Sequence, residues 1–97
     1  MAWTGAPAGP PWEFAVRDET FMSPQAAPFV AGRYGNKDAC LQAMRTRYSP
    51  EVQVYKDFKA RGMLVEITQE PQHWRLHKVS MGLATTIEAW CTAEAPK

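Results

Sequence analysis

Apolar and polar residues alternate along several stretches of the chain, with the period of two that is typical of half-buried β-strands. In the first of them, Trp12, Phe14 and Val16 occupy every second position, with polar or small residues between them. Similar alternation, with many strand-forming residues, recurs three times in the second half of the chain. The pattern predicts four strands, at residues 12–18, 63–69, 74–80 and 85–92.

Two segments leave alternatives open. Residues 74–80 alternate like a strand, although Pro71 and Gly82 would also bracket a short helix; we interpret the segment as a strand. Residues 29–34 follow a turn-like, proline-containing stretch, and they predict either a fifth, short strand or an extended lead-in.

A helical period begins after Asn36, a residue type that commonly caps helix N-termini. Cys40, Met44 and Tyr48 follow at intervals of four, so they lie on one side of a helix. This spacing predicts a helix over residues 37–48.

The Ser-Pro pair at 49–50 is expected to end this helix and to start a second one. A helix over residues 50–61 would end at Gly62, because glycine is the usual residue just beyond a helix C-terminus. The competing interpretation makes residues 52–55 a strand that pairs with the next predicted strand. We favour the helix.

Together these elements predict an α+β domain: a small antiparallel sheet of three to five strands, with one or two helices packed on one face. The domain is expected to span residues 12–93. Residues 1–11 are rich in Pro, Gly and Ala and predict a flexible arm, and residues 94–97 are expected to fray.

Composition limits the function. The 97 residues include eleven Lys and Arg against ten Asp and Glu, a net charge of +1, which argues against a polybasic protein and against an acidic mimic of nucleic acid. A chain of this length forms one small core and has no room for a deep cleft between domains. The charge is uneven, because residues 43–78 hold seven basic and four acidic groups.

The sequence predicts the cellular location of the protein only through the targeting signals that it lacks. No apolar run approaches the length of a membrane span, and the first residues lack the basic start and apolar core of a secretory signal. We therefore expect a cytoplasmic protein, with export as the alternative if a leader has been removed.

Two cysteines, Cys40 and Cys91, allow a disulfide or two buried thiols, and we favour buried thiols. With His73 and His77 they form a two-Cys, two-His set, but the ligand spacing is unlike that of zinc modules, so no metal or other cofactor is expected. A nucleophilic Cys40 is the least favoured interpretation, since it needs a histidine base and its spacing suits a core side chain. We expect no enzyme activity.

Aromatic content points to recognition of a protein. The chain holds four Trp, more than so small a core needs, and Trp90 shares its predicted strand face with Glu88. Aromatic and Arg residues dominate binding hot spots. The candidate partner-binding residues are Arg33, Tyr34, Arg45, Arg61, Glu88 and Trp90.

The expected function is therefore non-catalytic: a protein that acts by binding another macromolecule, most simply a protein, as an inhibitor or adaptor does. A phage- or plasmid-borne antagonist of host machinery is one such protein, by analogy with its small size and its lack of recognised catalytic motifs. The first alternative is nucleic-acid binding by the basic segment 43–78, in which basic and aromatic residues interleave; the second is a small exported domain held by a Cys40–Cys91 disulfide. The nucleic-acid candidates are Arg45, Arg47, Lys56, Lys59, Arg75 and Lys78.

Overall fold

In the part of the chain that the structure describes, five antiparallel strands form one sheet and one long helix packs on one of its faces. The computed structural model describes residues 11–20 and 25–93. Their order along the chain is β1 (Trp12–Glu19), β2 (Phe29–Tyr34), α1 (Lys37–Ala60), β3 (Leu64–Gln69), β4 (His73–Ser80) and β5 (Leu83–Ala93). The predicted α+β class is confirmed, and the uncertain segments 29–34 and 74–80 are both strands.

The strand order is β2-β1-β5-β4-β3, so the last strand of the chain lies at the centre. β5 pairs with β1 from Trp12–Ala93 to Glu19–Thr86, and it pairs with β4 along its other edge. The first and last strands therefore hold the sheet together through contacts that are distant in sequence.

The helix is one continuous element of 24 residues with Pro50 inside it. The predicted break at residues 49–50 is wrong, while the helical interpretation of residues 50–61 is right. Proline removes one backbone hydrogen bond and crowds the preceding turn. The buried side of the helix nevertheless continues from Tyr48, before the proline, to Val52 and Tyr55 beyond it, and this burial favours continuation over a break.

Both helix ends match the predicted signals. The Asn36 side chain accepts a hydrogen bond from the Ala39 amide at 2.8 Å, as an N-cap does. At the other end, Gly62 has a φ of 92°, and the Met63 amide donates to the Phe58 carbonyl at 3.1 Å. This is a Schellman ending, which requires the left-handed conformation that glycine adopts without strain.

The core lies between α1 and one face of the sheet. One cluster surrounds Met44 and Cys40 beneath β1 and β5, and it includes Phe14 and Val16. A second cluster packs the C-terminal half of the helix against β3 and β4, and it comprises Val52, Tyr55, Val65 and Leu76. This helix contacts the sheet on one side, so no helix among the described residues covers the opposite face.

Within the described residues, no helix is long and apolar enough to cross a membrane. The predicted arm, except for Pro11, and the predicted tail at 94–97 lie outside these residues.

Candidate functional site

The sheet face opposite α1, which no described helix covers and which is called the open face below, carries the side chains that alternate with those of the core. On β1 and β5 these include Arg17, Glu88 and Trp90, because their sequence neighbours Val16, Ala89 and Cys91 are buried against the helix. The strand register places Arg17 directly opposite Glu88. On the other side of β5, His73 lies opposite Trp90.

Three of these side chains form a polar cluster at the centre of the open face. Arg17 donates from Nη2 to Glu88 Oε1 at 3.0 Å. His73 Nε2 lies 2.9 Å from the other oxygen, Glu88 Oε2, where an imidazole N–H can donate to the carboxylate. Glu88 therefore links β1 to β4 across β5, although the three residues come from distant parts of the chain.

The surroundings of Glu88 favour its ionised form. Its side chain is only 16% exposed, and burial by itself raises the pKa of a carboxyl. Hydrogen bonds from His73 and Arg17, together with their charges, outweigh burial and lower the pKa of Glu88. The carboxylate is thus held as an anion between two donors.

Trp90 lies beside this cluster and makes contacts on both sides. The Arg17 guanidinium is 5.9 Å from the Trp90 ring centroid, within the range of a cation–π interaction. The His73 ring centroid is 6.2 Å away. Both neighbours fix the orientation of an indole that is only partly buried.

A shallow depression of about 430 Å³ lies over these side chains. Arg17, His73, Glu88 and Trp90 line it, and so does Gln72, whose amide donates to the Cys91 carbonyl at 3.3 Å. It is wide and open to solvent, so its shape suits a protruding side chain of a partner better than an enclosed small molecule.

Cationic side chains on the open face are matched by carboxylates. Arg33 Nη2 lies 3.1 Å from Glu13 Oε2, and Arg75 Nη1 lies 3.9 Å from Glu66 Oε2. With the Arg17–Glu88 pair, each arginine that the structure describes on this face has an acidic partner. The face therefore has polar groups of both signs and no one-signed field.

The predicted partner-binding residues do not form one surface. Glu88 and Trp90 lie together at the centre of the open face, and Arg33 is on the same face near its β2 edge. Tyr34 faces the helix side, Arg45 is on the exposed side of α1, and Arg61 caps the C-terminus of α1.

The predicted nucleic-acid residues are also divided. Arg45, Arg47, Lys56 and Lys59 are on the helix, whereas Arg75 is on the open face. Lys78 is on the helix side of β4, where its Nζ lies 4.4 Å from the Phe58 ring centroid.

The sequence pattern does not predict that Arg17 and His73 join Glu88 in the central cluster. Alternation alone places Arg17 on the side of β1 away from Val16. Only the pairing of β1 with β5, and of β5 with β4, brings Arg17 and His73 to Glu88, and no local pattern encodes that order.

The cysteines are joined in a disulfide bond, with their Cα atoms 6.1 Å apart. The favoured interpretation as free buried thiols is therefore wrong for this structure. The bond uses both sulfurs that the zinc set and the nucleophile would require. Among the described residues, no group of three or more His, Cys, Asp or Glu is placed to hold a metal ion.

Comparison of the chain with family models, curated proteins and solved structures gives no match.

Proposed function

We propose that this protein is a non-catalytic binding domain that recognises another protein through the open face, acting as an inhibitor or adaptor. The observation that carries the proposal is the position of Trp90, which lies between Arg17 and His73 at the centre of a face that no helix of the described residues covers. An aromatic side chain whose orientation is already fixed loses little conformational freedom on binding, so it suits an anchor residue.

The charges of the open face favour a protein over a nucleic acid as its partner. Arg17, Arg33 and Arg75 each face a carboxylate, so a phosphate backbone would compete with these internal partners and meet repulsion from the same carboxylates. Protein partners present both signs of charge and apolar side chains, which match a mixed polar face around an indole.

The test is capture from extracts of the source cell with the full, disulfide-bonded chain. We expect Trp90→Ala to lose at least about tenfold in affinity for the captured protein, as truncation of an anchor residue does. Arg45→Ala, which alters an exposed residue on the helix, is the matched control and should bind like the wild type. If Arg45→Ala loses the partner and Trp90→Ala keeps it, the open face is not the binding surface.

A second candidate, nucleic-acid binding, has one observation in its favour. Arg45, Lys56 and Lys59 lie within an arc of about 60° around α1, from the 100° rotation per helical residue, and among the described residues none of them forms an ion pair. If this surface binds a phosphate backbone, replacing all three by Gln should abolish retardation of a DNA or RNA probe at low salt, whereas Arg33→Gln should not. No retardation by the wild type would eliminate this candidate.

The disulfide favours the exported form of the protein. Disulfides persist in oxidising compartments and are rare in the cytosol, and Cys40 and Cys91 are 0% and 3% exposed. We infer that the protein works outside the reducing cytosol. Alkylation of the protein taken from its source cells and unfolded in denaturant without reductant should label neither cysteine, whereas labelling of both would show free thiols and contradict this location.

A further inference from the structure

A second concave site lies on the other side of the molecule, between β1, β2 and the N-terminal half of α1. Its volume is about 300 Å³, at the small end of the range of ligand pockets. It is more enclosed than the depression over Trp90, and it does not share a residue with it. The lining side chains used below are Phe14, Phe29, Tyr34, Ala43, Arg47 and Tyr48.

Aromatic rings form the walls of this cleft. Phe14 and Tyr48 meet edge to face, with ring centroids 6.0 Å apart. The Tyr34 side chain folds back along β2 over Gly32. A Cβ atom added at Gly32 would lie only 2.8 Å from the Tyr34 hydroxyl oxygen. Phe29, at 56% exposed, stands at the rim. Such walls suit a flat apolar ring.

Hydrogen-bond donors accompany the aromatic walls. The Arg47 guanidinium lies 5.0 Å from the Tyr48 ring centroid. Within the part of the chain that the structure describes, Arg47 forms no ion pair, and neither the Tyr34 nor the Tyr48 hydroxyl has a hydrogen-bond acceptor. These are three donors, one of them charged, beside a cleft whose lining residues include no carboxylate.

The Tyr48 hydroxyl remains a donor at neutral pH. Burial, with smaller contributions from Asp18 and Glu51, raises the pKa of Tyr48 against the opposing charge of Arg47. The protonated hydroxyl can therefore donate to an anionic ligand.

We propose that this cleft binds a small aromatic monocarboxylic acid. Its ring packs between Phe14, Phe29 and Tyr34, and its carboxylate accepts hydrogen bonds from Arg47 and from the tyrosine hydroxyls. A charged guanidinium prefers a carboxylate to a neutral acceptor, and a cationic ligand would be repelled. This binding is independent of the open face.

The experiment is a titration of the full, oxidised chain with 3-phenylpropionate, followed by backbone amide NMR and by calorimetry. We expect saturable shifts at Gly32, Tyr34, Ala43 and Arg47, with none at Glu88 or Trp90. The neutral analogue 3-phenylpropanamide should bind about tenfold more weakly, because it lacks the charge that Arg47 recognises.

Paired variants separate this site from general charge attraction. Arg47→Gln should weaken 3-phenylpropionate binding about tenfold, whereas Arg45→Gln, an equal charge change two residues away, should not. Ala43→Leu should prevent binding by filling the cleft, and Trp90→Ala should leave it unchanged. Absence of saturable shifts up to about 10 mM, equal binding of the amide, or equal losses in Arg45→Gln and Arg47→Gln would each overturn the proposal.

Discussion

Cys40, near the start of the helix, is bonded to Cys91 on the central strand, and the two residues are 51 positions apart in sequence. Both side chains lie in the core between α1 and the sheet. The bond therefore fastens the only described helix to the strand that pairs with both halves of the sheet. It constrains the unfolded chain over about half its length.

Removing this bond should lower the free energy of unfolding substantially. For a loop of 51 residues, the chain-entropy model gives about 4 kcal/mol. We expect a Cys40→Ala/Cys91→Ala double variant to lose about this amount in urea unfolding followed by circular dichroism. The wild type unfolded with reductant is the control, since it loses the bond without losing the sulfur atoms. A loss below about 1 kcal/mol in both would contradict a stabilising role.

The strands were predictable because each has one face on the core. In β1, the alternation of Trp12, Phe14 and Val16 with small or charged residues is the direct result of packing against the helix. The strand order was not predictable, because it depends on which strands meet after the chain collapses. The pairing of Phe14 with Cys91 joins the two ends of the domain. Nothing in the sequence of either segment indicates that it pairs with the other.

Stability should depend on pH through Glu88. Burial opposes ionisation, but the His73 and Arg17 hydrogen bonds and charges lower the folded-state pKa of Glu88 below its ordinary value of 4.5. The resulting stabilisation is complete above the unfolded pKa, and it is lost as pH falls through the folded pKa. Between about pH 5 and pH 3, the wild type should therefore lose more stability than Glu88→Gln.

Glu66→Gln is the matched control for this pH dependence. Glu66 is on the same face, but its side chain is 76% exposed and its pair with Arg75 is 3.9 Å long, so it is expected to contribute little. Urea unfolding at a series of pH values measures the difference. Parallel curves for the wild type and Glu88→Gln would show that the cluster does not stabilise the fold.

The site was predictable only in part. Alternation within β5 correctly places Glu88 and Trp90 on the face of the strand that points away from the Cys91 side chain. The centre of the open face therefore follows from local sequence. The prediction that Arg45 and Arg61 join them rests on residue type alone, and the helix places both away from that face. A grouping of residues by chemical type becomes a surface only when the sheet register is known.

Pro50 should cost the helix stability that alanine would restore. A proline within a helix is about 3 kcal/mol less favourable than alanine, offset by up to about 1 kcal/mol because proline also restricts the unfolded chain. Pro50 is exposed, so its ring contributes little to the core. We expect Pro50→Ala to raise the free energy of unfolding by about 2 kcal/mol, measured in urea.

Ser49→Ala, at the adjacent exposed position, is the control for this change. It alters helix propensity by only about 0.5 kcal/mol and leaves the proline in place. If Pro50→Ala gains no more than Ser49→Ala, then the helix has adapted to the proline at no cost. A destabilised Pro50→Ala would mean that the packing of Tyr48 and Val52 requires the proline.

The turn between β4 and β5 holds a non-glycine residue in an unfavourable backbone conformation. Ser80 pairs with Leu83, and the two residues between them have positive φ, 53° at Met81 and 78° at Gly82. This is the pattern of a two-residue type I′ turn, which favours Asn at the first position. Met81 is 97% exposed, so replacing it loses no packing.

We therefore expect Met81→Asn to stabilise the protein by about 0.5–1 kcal/mol, because Asn tolerates the left-handed conformation better than Met does. For a domain of this size, 1 kcal/mol corresponds to a rise in Tm of about 4–8 °C, which thermal unfolding resolves. Met81→Val is the opposite test, since a β-branched residue is strained at positive φ, and it should lower Tm. Equal Tm values for the Asn and Val variants would show that the turn does not hold residue 81 in the left-handed region.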